Sequence, residues 1–426
     1  MSTDTYAVID AVWRMESAKI IGALARMLHD VGLAEEFAQD ALVTALEQWP
    51  RSSVPDNPAA WLMTAARHRA FDYLRRQTLL SHKREAISHE LDARHAMAAA
   101  EFSEAVDAAM DDDVGDDMLR LMFIACHPLL STEARAALTL RLLGGLTSGE
   151  IARAFLVPEP TIAQRIVRAK RTLTEAHVPF EVPRADELSA RLESVLEVIY
   201  LIFNEGYSAT AGEHWMRPAL CEEALRLGRI LAELVAQEPE VHGLVALMEI
   251  QASRLRARVD ENGAPILLLD QNRAHWDQLL IQRGLSALAR AEAQGRAYGS
   301  YTLQAAIAAC HARTHTPEQT DWLRIAALYD ALVQVVPSPV VRLNRAVALA
   351  MAFGPAAGLE QVDELDDEPV LMHYHLLPSV RGDLLAKLGR LEEACAEFKR
   401  AAALTNNARE RALLLSRAAE CSAAGK

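Results

Sequence analysis

The sequence predicts an all-α chain of several domains, and three observations carry that expectation. Aromatic residues make up only 5% of the chain while Ala and Leu abound. Gly and Pro are sparse outside a few turns. Apolar residues recur at helical spacing through most of the length. At 426 residues the chain exceeds one ordinary core, so roughly two to four domains are expected.

Taken in order, residues 7–28 read as an amphipathic helix carrying Val8, Val12, Met15, Leu24, Met27 and Leu28 on its apolar side, ended by "HDVG". A second helix is expected over about 33–48, with Leu33, Phe37, Ala41 and Thr44 inward and Glu36, Gln39, Asp40, Val43 and Glu47 outward. "WPRSSVPDNP" (49–58) reads as a Pro-punctuated loop. A third helix then runs over about 58–77, opened by Pro58, whose missing N–H costs nothing in a first turn. Residues 78–115 are polar, charged and Ala-rich and end in "DDDVGDD", the composition of a linker.

Four short helices are expected over 116–177. Thr147 and Glu150 have capping-box spacing. Helix 148–156 is followed by a turn at Val157-Pro158, and the next helix starts near Glu159 with Pro160 in its first turn. On that helix Ile162, Ile166, Ala169 and Leu173 share one side. Thr161, Gln164, Arg168 and Arg171 lie opposite, flanked by Arg165 and Lys170. A buried stripe backed by Gln and Arg suits a helix-turn-helix reading base edges in a major groove, with the other cations on phosphates. On the residues alone, a surface helix with snorkelling arginines stays open.

"VPFEVP" (178–183) is a Pro-bounded linker. Beyond it helix follows helix, broken by "NEGYSATAG", "DENGAP", "HTPEQ", "PSP", "FGP" and "NN". In 375–408, Gly382, Gly389, Ala394, Phe398 and Ala401 occupy the small and aromatic positions of a tetratricopeptide repeat, and 340–374 looks like a degenerate copy. Gly206 reads as the left-handed cap ending a helix, with a small pocket of Asn204, Glu205, Tyr207 and His214 as the lesser alternative. Asp270, Arg273, Trp276 and Asp277 suit the bracing of a helix junction.

The net charge is −14. Residues 1–177 hold 19 Lys+Arg and 25 Asp+Glu, a net of −6; the rest holds 44 − 19 = 25 against 58 − 25 = 33, a net of −8. Nonspecific nucleic-acid binding by the free chain should therefore be weak. The strongest apolar run, Val195 to Phe203, is interrupted by Glu197, so no membrane span is expected. The N-terminus has no signal-peptide pattern. The five cysteines are widely separated and read as buried free thiols of a cytoplasmic protein. Cys310, His311 and His315 lie close together without a second ligand pair, so no metal or cofactor is expected. There is no phosphate-binding Gly loop, nucleophile elbow or paired-carboxylate signature, so no enzyme is expected.

These blocks together resemble a known family. Residues 10–77 resemble region 2 of sigma-70 family initiation factors, through "AEEFAQDALVTALEQW" (34–49) and "AAWLMTAARHRAFDYLRR" (59–76). Residues 116–175 resemble region 4. The absence of an intermediate domain is the layout of extracytoplasmic-function sigma factors, and the long extension, with "YLIFNEGYSA" (200–209) and "LDQNRAHWD" (269–277), resembles the subgroup with C-terminal tetratricopeptide repeats. The implied organisation is region 2 over 1–80, a linker over 81–115, region 4 over 116–177, a linker over 178–186 and a helical repeat extension over 187–426, clearest at 340–408.

The resemblance also implies roles. Glu36, Gln39 and Asp40 would face the basic clamp helices of core RNA polymerase, while region 4 would meet its flap. Asn57, Trp61, Arg67, Arg69, Arg75 and Arg76 would hold the single-stranded -10 element. Asp72 would brace neighbouring arginines. Thr161, Gln164, Arg165, Arg168, Lys170 and Arg171 would read the -35 element. The extension would dock within the chain, or on a protein or peptide partner, and modulate initiation. The competing reading is a helix-turn-helix regulator with a repeat-type sensor domain that acts without polymerase; residues 10–77 are what such a regulator would not need.

Overall fold

The computed structural model describes residues 2–85, 114–209, 212, 214–261, 263–295 and 298–424. Among them the chain is helical apart from two isolated β-bridges, Gly212 with Asn407 and Val259 with Pro265. It divides into two compact units, 1–198 and 199–426.

In the first unit α1 (Ser2–Leu28), α2 (Val31–Ser52) and α3 (Pro58–Glu85) pack on one another. Their core holds Ile9, Trp13, Ile20, Ile21, Leu24, Trp49 and Leu62. Asp30 caps α2 by accepting the Leu33 N–H at 3.0 Å. The buried stripe of α2 is Val31, Ala34, Glu35, Ala38, Ala41, Ala45 and Trp49. This corrects the expected inner face: Leu33, Phe37 and Thr44 are only half-buried. Small alanines let α1 and α3 approach closely, which pushes the bulkier residues to the flanks.

Two expected boundaries also move. α2 runs through Pro50 to Ser52, because a proline in the last turn forfeits one hydrogen bond without stopping the helix. α3 continues to Glu85. Most of the linker expected over 81–115 lies outside the described residues.

Next come α4 (Val114–Ala125), α5 (Thr132–Leu142), α6 (Ser148–Phe155) and α7 (Glu159–Glu175). α8 (Ala185–Tyr207) begins within this unit. Its Arg191 donates to the Phe123 carbonyl at 2.7 Å, and its Ser194 hydroxyl to the Cys126 carbonyl at 2.7 Å. Arg135 of α5 reaches Glu197 at 3.0 Å. The hydrogen bonds from Arg191 and Ser194 satisfy carbonyls at the C-terminal end of α4, where the last carbonyls lack partners inside the helix.

In the second unit α9 (Pro218–Leu234) packs on α10 (Pro239–Ala252), and α10 on α11 (Gln278–Ala293) and α12 (Ser300–Ala312). From there α12, α13 (Trp322–Val335), α14 (Pro339–Phe353), α15 (Pro355–Asp363), α16 (Leu376–Lys387), α17 (Leu391–Leu404) and α18 (Ala408–Ala424) each pack on the next. Phe398 is fully buried beside Gly382, where an added Cβ would sit 3.0 Å from the ring.

Gly206 is not the left-handed cap expected of it. It lies within α8 and has no positive φ. A Cβ there would meet the Cys221 backbone nitrogen at 2.7 Å and Leu220 Cβ at 2.9 Å. The glycine serves the close approach of α9. Asn407, fully buried, donates to the carbonyls of Ala209 and His214 at 3.1 Å each and so ties these two residues to the "NN" turn. All five cysteines are buried and free.

Candidate nucleic-acid interface

α6 and α7 form the helix pair anticipated from "LTSGEIARAFLVPEPTIAQRIVRAKRTL" (146–173). Thr147 Oγ1 accepts the Glu150 N–H at 3.2 Å, and Glu150 accepts the Thr147 N–H at 2.8 Å, a complete capping box. Burial pushes the Glu150 carboxyl up, but the Thr147 N–H and hydroxyl, with Arg14 and Arg153, outweigh it and hold it below the usual range. α6 ends on Leu156 in the left-handed region, at φ 52°. The Val157-Pro158 turn then starts α7, with Pro160 in its first turn.

α7 buries Ile162, Ile166, Ala169 and Leu173. Gln164, Arg168 and Arg171 are exposed, and Thr161 and Arg165 are half-buried beside them. Arg171 pairs with Glu175 one turn on, at 2.6 Å. The face therefore offers planar donors in fork geometry together with an amide, the groups that recognise base edges and phosphates.

Lys170 stands apart from this face. Its ammonium is ion-paired with Glu35 of α2, whose side chain is only 3% exposed. Arg141 of α5 binds the same carboxylate at 2.6 Å and also donates to the Leu146 carbonyl at 3.1 Å. Gln39 donates to Glu35 as well. Around this node Arg14 pairs with Glu150 at 2.9 Å, and Arg26 with the buried Asp117 at 3.3 Å. Thr174 donates to Asp30 at 3.4 Å. α1 and α2 thus lie against α4 to α7 through polar contacts. Sequence reasoning missed Glu35 as the centre of them.

On α2 and α3, Arg69 donates to Asp40 at 2.9 Å and to the Thr44 hydroxyl at 3.0 Å. A residue expected on DNA and one expected on polymerase are therefore partners of each other. Asn57 is exposed and caps α3, accepting the Ala60 N–H at 3.1 Å. Trp61 is half-buried, edge-on to the buried Trp49 with ring centroids 5.3 Å apart. Arg67 is half-buried, while Arg75 and Arg76 are exposed. Glu36 is exposed and Gln39 half-buried. Asp72 is exposed, and the bracing of arginines expected of it is not seen among the described residues.

Among the described residues no group of three or more His, Cys, Asp or Glu could hold a metal ion, and no helix is long and apolar enough to cross a membrane. His311 packs edge-on against Trp322 at 5.1 Å.

Comparison with known proteins agrees with this geometry. The Sigma-70 region 2 family matches residues 13–79, Sigma-70 region 4 matches 120–173, and a family of unknown function, DUF6596, matches 191–292. A protein of Rhizobium meliloti (strain 1021) described as uncharacterised is 44% identical over 413 residues, covering 97% of this chain and 95% of its own. The ECF RNA polymerase sigma factor SigK of Mycobacterium ulcerans (strain Agy99) is 30% identical over 159 residues, 36% of this chain and 78% of its own. The ECF RNA polymerase sigma factor SigC of Mycobacterium tuberculosis (strain CDC 1551 / Oshkosh) is 28% identical over 149 residues, 34% of this chain and 71% of its own.

Proposed function

Because the chain belongs to the extracytoplasmic-function RNA polymerase sigma factors, we propose that α7 reads the -35 promoter element through Thr161, Gln164, Arg165, Arg168 and Arg171. The observation that carries this reading is the division of α7 into a buried stripe and an exposed Gln/Arg face. Lys170 joins the DNA contacts only after leaving Glu35. α3, with Asn57, Trp61, Arg67, Arg69, Arg75 and Arg76, takes the -10 strand. Glu36, Gln39 and Asp40 meet the clamp helices of the polymerase.

In the free chain the Glu35 node holds the polymerase-facing helix against the -35-reading helix. Promoter engagement then exchanges these intramolecular pairs for contacts to polymerase and phosphate. Such an exchange keeps an acidic chain weak on free DNA and specific once assembled.

The C-terminal extension modulates initiation as a helical repeat module of the tetratricopeptide type, by docking within the chain or on a partner. Support for this reading comes from the serial packing of α12 to α18 and the Gly382–Phe398 contact.

The test of the -35 assignment is DNA protection by the assembled holoenzyme. Arg168→Ala should abolish protection at the -35 element while leaving core binding intact. Unchanged protection would refute the assignment.

A further inference from the structure

Three guanidinium groups of the second unit gather on aromatic rings, with no carboxylate ion-paired to them among the described residues. Arg258, 6% exposed, has its Cζ 3.4 Å from the Tyr207 ring centroid and 4.5 Å from that of Trp215. Arg254 lies 5.8 Å from the Tyr207 centroid and 5.7 Å from that of Trp276, and donates to the Tyr207 hydroxyl at 2.6 Å. Arg273 lies 5.1 Å from the Trp276 centroid. It staples the end of α12, donating to the carbonyls of His311 at 2.9 Å and Thr314 at 3.1 Å.

Elsewhere in this unit the sheltered arginines carry acids: Arg217 with Glu205, Arg229 with Glu249, Arg381 with Glu397, Arg417 with Asp383. Among the described residues Arg254, Arg258 and Arg273 have no ion pair. The exposed Glu318 raises the Arg273 pKa by its charge, less than burial lowers it.

Neighbouring guanidiniums repel, and unpaired cations taken out of water are costly. Aromatic faces offset only part of that. Four buried nitrogens also lack partners: Arg254 Nε, Arg273 Nε, Trp276 Nε1 and His311 Nδ1. His311 is kept neutral, its pKa lowered to about 4 by burial and then by Arg254 and Arg273. Among the described residues the arrangement thus keeps unpartnered buried nitrogens beside cations that have no ion pair.

We propose that Arg254 and Arg258, on the aromatic floor of Tyr207, Trp215 and Trp276, bind a small molecule through an oxyanion group. Two planar guanidiniums that share the Tyr207 ring carry the fork of donors that suits the paired oxygens of a phosphate or carboxylate. Arg254, half-buried, is the member open to solvent. The site makes the C-terminal unit a receptor for an anionic small molecule, and it stands whether or not α7 reads a promoter.

The test is a fluorescence titration of the full-length protein, since Trp215 and Trp276 border the site. Inorganic phosphate and acetate are titrated separately, with sodium chloride holding ionic strength constant. The expected result is a saturable change with at least one of them, and which one responds distinguishes a phosphate from a carboxylate ligand. Arg254→Gln should weaken that response at least tenfold. Arg254→Lys, which keeps the charge but loses the planar fork, should weaken it less than Arg254→Gln does, and Arg313→Gln, at an exposed position, should leave it unchanged. A wild-type response that does not saturate, or that matches chloride, overturns the proposal. So does an equal response from folded Arg254→Gln; should that variant not fold, the wild-type and Arg254→Lys titrations decide.

Discussion

Lys170, on α7, forms an ion pair with Glu35, a buried carboxylate on α2. Arg141 shares that carboxylate. Removing the negative charge leaves two sheltered cations uncompensated, which typically costs about 3–5 kcal/mol for a fully buried pair. Arg141 and Lys170 are about a fifth exposed, so Glu35→Gln should lower unfolding stability by about 2–3 kcal/mol. Urea denaturation checks this; a loss under about 0.5 kcal/mol, the scale of an ordinary surface change, would mean the node contributes little.

Gly206→Ala should destabilise the second unit by about 1–3 kcal/mol through overpacking. The added methyl has no room beside the Cys221 nitrogen and Leu220. Thermal unfolding of the variant should show a lowered midpoint. An unchanged or raised midpoint would favour the helix-propensity gain over the clash.

His311 gives the second unit a pH signature. Its pKa is about 4 in the folded chain against an ordinary 6.5, mainly because burial disfavours the charged ring. Between those values the unfolded chain binds a proton that the folded chain refuses. The stabilisation is fully present above pH 6.5 and is lost as pH falls toward 4, by up to about 3 kcal/mol. His311→Phe, which keeps a ring against Trp322, should flatten the stability profile between pH 7 and 4.5 relative to wild type. Parallel profiles would show that His311 does not titrate in this way.

Arg191→Ala should loosen the start of α8 from α4. The half-buried guanidinium donates to the Phe123 carbonyl, and its loss leaves a helix-end acceptor unmet, at about 1–2 kcal/mol. Hydrogen exchange over 185–198 should accelerate in the variant, and unaltered protection would count against this anchor.

What was legible in the sequence was local. The stripe of α7, the Thr147–Glu150 box and the Pro160 start all follow from spacing within one or two turns, and each is present. Glu35 escaped because its partners Arg141 and Lys170 lie 106 and 135 residues away, beyond any periodic signal. The spacing of "AEEFAQDA" puts Glu36, Gln39 and Asp40 outward and assigns Glu35 no role, whereas the alanine stripe turns Glu35 inward. Gly206 was misread because glycine serves both positive φ and close approach, and only the packing of α9 tells them apart. The Arg254–Arg258–Tyr207 cluster joins two segments, 47 to 51 residues apart, that no local pattern links.

The most direct test of the central claim is run-off transcription with purified core RNA polymerase on a library of promoter fragments. With the full-length protein, discrete transcripts absent from core alone should arise from fragments sharing -35 and -10 elements, and Arg168→Ala should reduce them roughly tenfold or more, as loss of one bidentate base contact predicts. The same transcript pattern with and without the protein would contradict the account.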